Sequence, residues 1–155
     1  MRSIAVVFTT SILAIITSIA QAETIPYGSR AGMDVTIIAK KGIGTSKAVI
    51  TTKHTKKNAK EYCVEYEQDN SMACVNRTMK EIKLPETVSG NCKAKTWTDL
   101  NGNKFAFLGK HAPGDFAPDY AVKDLKSNEI LDGSSASGYG TALAIFEALC
   151  PGVAK

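Results

Sequence analysis

Residues 88–108 read Val-Ser-Gly-Asn-Cys-Lys-Ala-Lys-Thr-Trp-Thr-Asp-Leu-Asn-Gly-Asn-Lys-Phe-Ala-Phe-Leu, and this stretch decides the fold. It holds the only tryptophan, Trp97, one of the four cysteines, Cys92, and an Asn101-Gly102 pair between segments rich in aromatic and β-branched residues. Asn-Gly tolerates the positive φ angles of a type I′ turn, so residues 87–98 and 104–109 are expected to pair as a central hairpin on which the other elements pack. Asp99, Asn101 and Asn103 are all turn formers, which allows a longer turn.

The N-terminus sets the address of the chain. Met1-Arg2-Ser3 is a short basic lead, residues 4–19 are an apolar run softened by threonine and serine, and Ala20-Gln21-Ala22 has the small-x-small form of a cleavage site. That order is the order of a secretory signal peptide, so residues 1–22 are expected to be removed and residues 23–155 to form a single exported domain. The apolar run falls short of the roughly 20 residues that span a bilayer. No second such run follows, so no membrane span is expected after cleavage. The expected location is the periplasm or the medium.

All four cysteines, Cys63, Cys74, Cys92 and Cys150, lie beyond the cleavage site. An even count in an oxidising compartment reads as two disulfides with three formal pairings. Cys63 with Cys74 and Cys92 with Cys150 is the favoured pairing. No Cys-x-x-Cys occurs and there are only two histidines, so neither a metal site nor any cofactor is expected. The 19 lysines and arginines exceed the 15 acids only mildly, and runs such as Lys80-Glu81-Ile82-Lys83 mix the signs. This is a solvated surface rather than a nucleic-acid footprint.

Working outward from the hairpin, residues 23–32 are polar, with Pro26, Gly28 and Gly32, and read as a lead-in ordered only where it docks. Residues 33–40 and 47–53 are β-branched strands about a glycine turn, and their lysines discourage edge pairing. Thr55 can cap a helix in which Ala59, Tyr62, Cys63 and Tyr66 recur at spacings of three and four. Met72, Val75, Met79 and Ile82 form a second stripe, stopped by Pro85. Two short helices joined by a polar turn bring Cys63 near Cys74. Residues 61–66 also alternate like a strand, but the run downstream does not, which favours helices. Residues 110–119, with Pro113, Gly114 and Pro118, form an irregular loop, and residues 120–125 and 129–131 a short strand pair. Residues 132–140, Asp-Gly-Ser-Ser-Ala-Ser-Gly-Tyr-Gly, lead into a terminal helix over 141–149, ended by Pro151-Gly152. The expected fold class is α+β. It has a small antiparallel sheet of about six strands built from hairpins, an inserted helical pair and a C-terminal helix stapled by a disulfide.

The runs Tyr27-Gly28-Ser29-Arg30-Ala31-Gly32-Met33, Lys53-His54-Thr55, Asn91-Cys92, residues 132–139 and Leu149-Cys150-Pro151, in this order and spacing, resemble a group of small exported alphaproteobacterial proteins. The resemblance covers nearly all of the chain after residue 22. It implies an exported single domain and carries over no catalytic residue.

The run 132–140 is the most suggestive chemistry. A Gly/Ser loop feeding a helix N-terminus presents N–H groups and hydroxyls to a phosphate or a sugar carboxylate, which makes Ser134, Ser135, Ser137, Gly138 and Tyr139 the candidate ligand-binding residues. The competing account is that Ser137 or Thr141 caps the helix and the glycines make the turn. A serine hydrolase would draw its nucleophile from Ser134, Ser135 or Ser137, its base from His54 or His111 and its acid from Asp99, Asp115 or Asp132, but no Gly-x-Ser-x-Gly elbow exists. Glu61, Glu65, Glu67 and Asp69 could suggest glycosidase carboxylates. Helical spacing beside Lys57 and Lys60 makes a salt-bridged face the better account. Tyr62, Tyr66, Trp97, Phe105 and Phe107 read mostly as core, and Asn76-Arg77-Thr78 is a sequon without weight here. The resulting expectation is a non-enzymatic binding or structural module of the cell envelope. Its partner would be an envelope glycan or an envelope or foreign protein, inhibition of a lysozyme-like hydrolase being one version. The alternative is a small serine-type hydrolase on the Ser134 to Ser137 loop.

Overall fold

The computed structural model describes residues 22–111, 120–134 and 138–154. Along the chain the described elements are β1 (Thr24–Pro26), β2 (Asp34–Lys41), β3 (Ala48–Lys53), α1 (Lys56–Glu65), α2 (Met72–Glu81), β4 (Thr87–Asn91), β5 (Thr96–Thr98), β6 (Lys104–Lys110), β7 (Tyr120–Asp124), β8 (Ile130–Leu131) and α3 (Tyr139–Leu149). The strands form one antiparallel sheet in sequence order, each paired with its neighbours in the chain. Helix α3 touches β1, β3, β4 and β7, strands from both halves of the sheet. A sheet can meet one helix in this way only by curling around it. The fold is therefore α+β, with α3 held in a curled meander.

The central hairpin forms where expected, between β5 and β6, with Trp97 opposite Phe105. Its turn spans residues 99–103. The Asp99 carboxylate accepts the backbone N–H groups of Asn101 and Asn103 at 2.8 Å each and the Asn103 side-chain amide at 3.0 Å. Gly102 supplies the left-handed residue at φ 79°. On the inner face Trp97 packs 4.7 Å from the ring of Phe146, and Phe107 stacks on the same ring at 4.8 Å. Phe146 is fully buried. Burying a side chain of this size stabilises the fold by about 2–3 kcal/mol.

Two strands were not legible in the sequence. Residues 87–98 are not one strand. Asn91 accepts the Ala94 N–H at 2.9 Å and Lys95 takes φ 56°, which turns the chain and separates β4 from β5. Cys92 therefore sits in a tight turn rather than on a strand. Residues 24–26 also form a strand, pairing with β2 through Ile25 opposite Val35, and Tyr27 behind it is buried. Three residues ending in proline carry no periodicity, so only the free edge of β2 creates this strand.

Helices α1 and α2 form as the spacing indicates, with Thr55 and Asn58 making a reciprocal capping box and Ser71 capping α2. Their contact is a small separate core of Ala59, Cys63, Cys74 and Val75, with Met79 against it. Cys63 is bonded to Cys74, and Cys92 to Cys150, the pairing expected from the sequence. The pair docks on β2 through Thr36 Oγ1, which donates to Asn58 Oδ1 at 3.0 Å. Gly32 lies so close to α1 that a Cβ there would fall 2.6 Å from the Tyr62 nitrogen. Tyr62 and Tyr66 depart from the expected core placement. Their rings stack on each other at 5.4 Å near the surface, because the inward stripe of α1 is taken by Asn58, Ala59 and Cys63.

Candidate functional site

The candidate loop meets a second glycine-rich loop across a cleft. Residues 28–32 double back between β1 and β2, closed by Tyr27 N–H donating to the Met33 carbonyl at 2.8 Å and Met33 N–H to the Arg30 carbonyl at 3.2 Å. Opposite lies the start of α3. The cleft has a volume of about 640 Å³ and is walled by Gly28, Arg30 and Asp34 on one side and by Gly133, Gly138 and Tyr139 on the other. It continues into a 260 Å³ recess that shares Gly28, Ser29, Gly138 and Thr141 and adds Asp99, Asp124 and Glu129. The cleft thus sets one guanidinium and one carboxylate beside a helix N-terminus, and the recess adds three carboxylates.

Helix α3 begins at Tyr139, two residues before the expected start. Its N-cap is Gly138 in the left-handed conformation, φ 76°, with no side-chain cap. Thr141 lies inside the helix, so it does not play the capping role considered for it. Ser135 and Ser137 lie outside the described residues. Ser134 donates its N–H to Asp132 Oδ1 at 2.9 Å and its hydroxyl to the same oxygen, which holds the Asp132 carboxyl below the usual carboxylate range. This arrangement is an Asx turn, and it commits the serine proton to a carboxylate. Among the described residues no hydrogen bond joins Ser134 to a histidine. Tyr139 donates its hydroxyl to the Tyr120 carbonyl at 2.8 Å, which ties α3 to β7. Its role in the cleft is to form the wall.

Of the other sequence candidates, Asp99 lines the recess, Asp115 lies outside the described residues, and His54 lies apart. His54 follows β3 and lines a pocket of about 290 Å³ with Met79, Ile82 and Pro85, none of which lines the cleft. Both of its ring nitrogens are buried without a partner, as are Tyr27 Oη and Asn58 Nδ2. Burial, and then the charge of Lys83, push the imidazole below its usual pKa. Burial, followed by Tyr62 and Asp34, pushes the Tyr27 phenol up to about 12. Glu61 pairs with Lys57 at 3.7 Å, the salt-bridged face expected for α1. Asp34 is raised by burial and then by Glu61 and Glu65.

The residues that sequence reasoning missed are Ser29, Arg30 and Asp34. Arg30 lies over the Tyr66 ring at 4.6 Å, and the neighbouring Tyr62 hydroxyl donates to Glu67 at 2.8 Å. The signal was present as Gly28-Ser29-Arg30-Ala31-Gly32, a glycine-bounded run with one cation.

The fold and cleft define a disulfide-stapled α+β module with a backbone-walled groove. Among the described residues no helix is long and apolar enough to cross a membrane. Comparison with protein-family profiles, with curated proteins and with solved structures finds no match.

Proposed function

We propose that this chain is a non-enzymatic binding module exported to the cell envelope, which holds an envelope glycan or an envelope protein in the cleft beside α3. The signal-peptide pattern of residues 1–22, the two disulfides and the resemblance to small exported alphaproteobacterial proteins support the address. The observation that carries the binding role is the cleft of about 640 Å³ walled by Gly133, Gly138 and Gly140, the last two with nothing within 4 Å of where a Cβ would lie. Absent side chains let a ligand reach main-chain groups, and Ser29, Arg30 and Thr141 supply polar edges.

Gly140 provides the test. It lies in the helix, and a Cβ there meets nothing within 4 Å, so Gly140→Phe fills the cleft without disturbing the fold. A cell-wall glycan array and crosslinking in envelope extract should each be run with both proteins. The expected result is a ligand retained by the native chain and lost on the order of tenfold in G140F, the cost of excluding one well-placed contact surface. No ligand at all, or no retained ligand whose binding falls in G140F, overturns the reading.

The second reading, a small serine-type hydrolase on the Ser134 loop, draws on the Ser134–Asp132 bond. It requires ester turnover that Ser134→Ala abolishes. Turnover absent from the native chain, or surviving in S134A, removes it.

A further inference from the structure

The outer face of the sheet, opposite α3, segregates charge. Strand pairing fixes which residues point outward on β3 to β6. They are Val49, Thr51 and Lys53, then Thr87, Ser89 and Asn91, then Thr96 and Thr98, then Lys104 and Ala106. The assignment follows from alternation, since Ala48, Ile50, Val88, Trp97 and Phe105 on the other face are buried. Not one outward position on these four strands is acidic. Asp99 is buried in its turn and Glu86 lines the His54 pocket. Asp34, at an outward position on β2, lies with Glu61 and Glu65 of α1, beyond the edge of this face.

The face is also hollow. A trough of about 410 Å³ crosses β3 to β6, lined by Ser89, Asn91, Thr96 and Thr98, with Lys47 at one end and Lys104 at the other. Three strand intervals of about 4.8 Å place its ends some 14 Å apart. Lys41 and Lys53 flank the same side. No hydrogen bond or ion pair to an acid occupies Lys47 or Lys104 among the described residues.

We infer that this trough is a docking surface for an acidic polysaccharide, a glycan chain bearing carboxylates that lies across strands β3 to β6. Charge complementarity names the partner. The lysines at the two ends meet anionic groups, and the hydroxyls and amide between them match the hydroxyls of the intervening sugars. Trp97 contributes to the floor of the trough, but its ring is buried on the inner face against Phe146, so the outward residues offer no stacking ring and no arginine. A single-stranded nucleic acid would need stacking platforms, and a neutral sugar would have only hydrogen bonds that water also offers. The surface is separate from the α3 cleft and its recess, with which it shares no lining residue.

The test is affinity electrophoresis of the disulfide-bonded protein in gels containing polygalacturonate, dextran or poly(dT), with the double variant Lys47→Glu/Lys104→Glu and the cleft variant G140F alongside. Both lysines are exposed, and retained near-ultraviolet signal of Trp97 confirms that the fold survives. The expected result is retardation by polygalacturonate alone, reduced on the order of tenfold by the double variant and unchanged in G140F. It should fade as salt is raised past the point where the Debye length drops under about 8 Å. Equal retardation by dextran, stronger retardation by poly(dT), or a double variant that runs like the native chain overturns the inference. Loss of binding in G140F would assign the glycan to the cleft and overturn it as well.

Discussion

Removing the two disulfides separately should have unequal effects, and the inequality can be calculated. Cys92–Cys150 closes a span of 58 residues, which contains β5 to β8 and α3, whereas Cys63–Cys74 closes only 11 within the helical pair. In the chain-entropy account the larger loop stabilises the fold by about 4.2 kcal/mol and the smaller by about 2.8 kcal/mol. The difference, about 1.4 kcal/mol, is tenfold in the folding equilibrium. The perturbations are Cys92→Ala with Cys150→Ala, and Cys63→Ala with Cys74→Ala. The assay is urea unfolding followed by fluorescence of the single tryptophan, whose ring lies 4.7 Å from Phe146. Slope and midpoint are both needed, because a chain freed of a long loop exposes more surface when unfolded. The C92A/C150A protein should lose the larger stability. A loss in C63A/C74A equal to or greater than this would refute the loop-entropy argument. It would mean that the small core between α1 and α2 depends on its sulfur bridge for packing.

Gly32→Ala should destabilise the fold by roughly 2 kcal/mol or more, since φ is +69° and the new Cβ would meet α1 backbone at 2.6 Å; an unchanged urea midpoint would show that α1 can move away freely. His54 gives a pH dependence. Its folded pKa lies below the usual value, so the unfolded chain takes up the proton first as pH falls. The stability it contributes is complete above about pH 6.5 and is lost progressively below it. Lys53, Lys83 and Glu86 border its pocket, and Tyr27 meets its ring edge-on at 5.7 Å. Between pH 7.5 and 5.5 the urea midpoint should fall in the native chain and fall less in His54→Asn. Equal slopes in both proteins would remove His54 as the titrating group.

Much of this architecture was legible in local chemistry. The turn at residues 99–103 needs Asp99, Asn103 and Gly102, all visible as turn formers, and the Thr55 cap and Pro85 stop bracket the helical pair. The disulfide pairing followed from the same reading, because helix periodicity placed Cys63 near Cys74. These features depend on residues a few positions apart, where backbone preference and hydrogen-bonding range decide the outcome. Their information is contained in the segment itself.

The remaining features depended on partners distant in sequence. Strand β1 exists because the edge of β2 pairs with Thr24 to Pro26, and the turn at residues 92–95 is set by Asn91 together with the tie of Cys92 N–H to the Thr45 carbonyl at 3.0 Å. The cleft is a product of curling, which brings residues 28–32 against Gly138 across more than 100 positions of chain. No local pattern could have joined Arg30 to the loop that Ser134 marked. The segregated lysines were equally hidden, since interspersed signs along the chain separate onto two faces only when the strand registers are known. By itself the sequence determined the helices, most of the strands, the staples and the expected address, because short-range sterics and hydrogen bonds govern them. Only the tertiary structure decided which backbone stands exposed beside which charge, because sheet curvature and register are properties of the whole packed core.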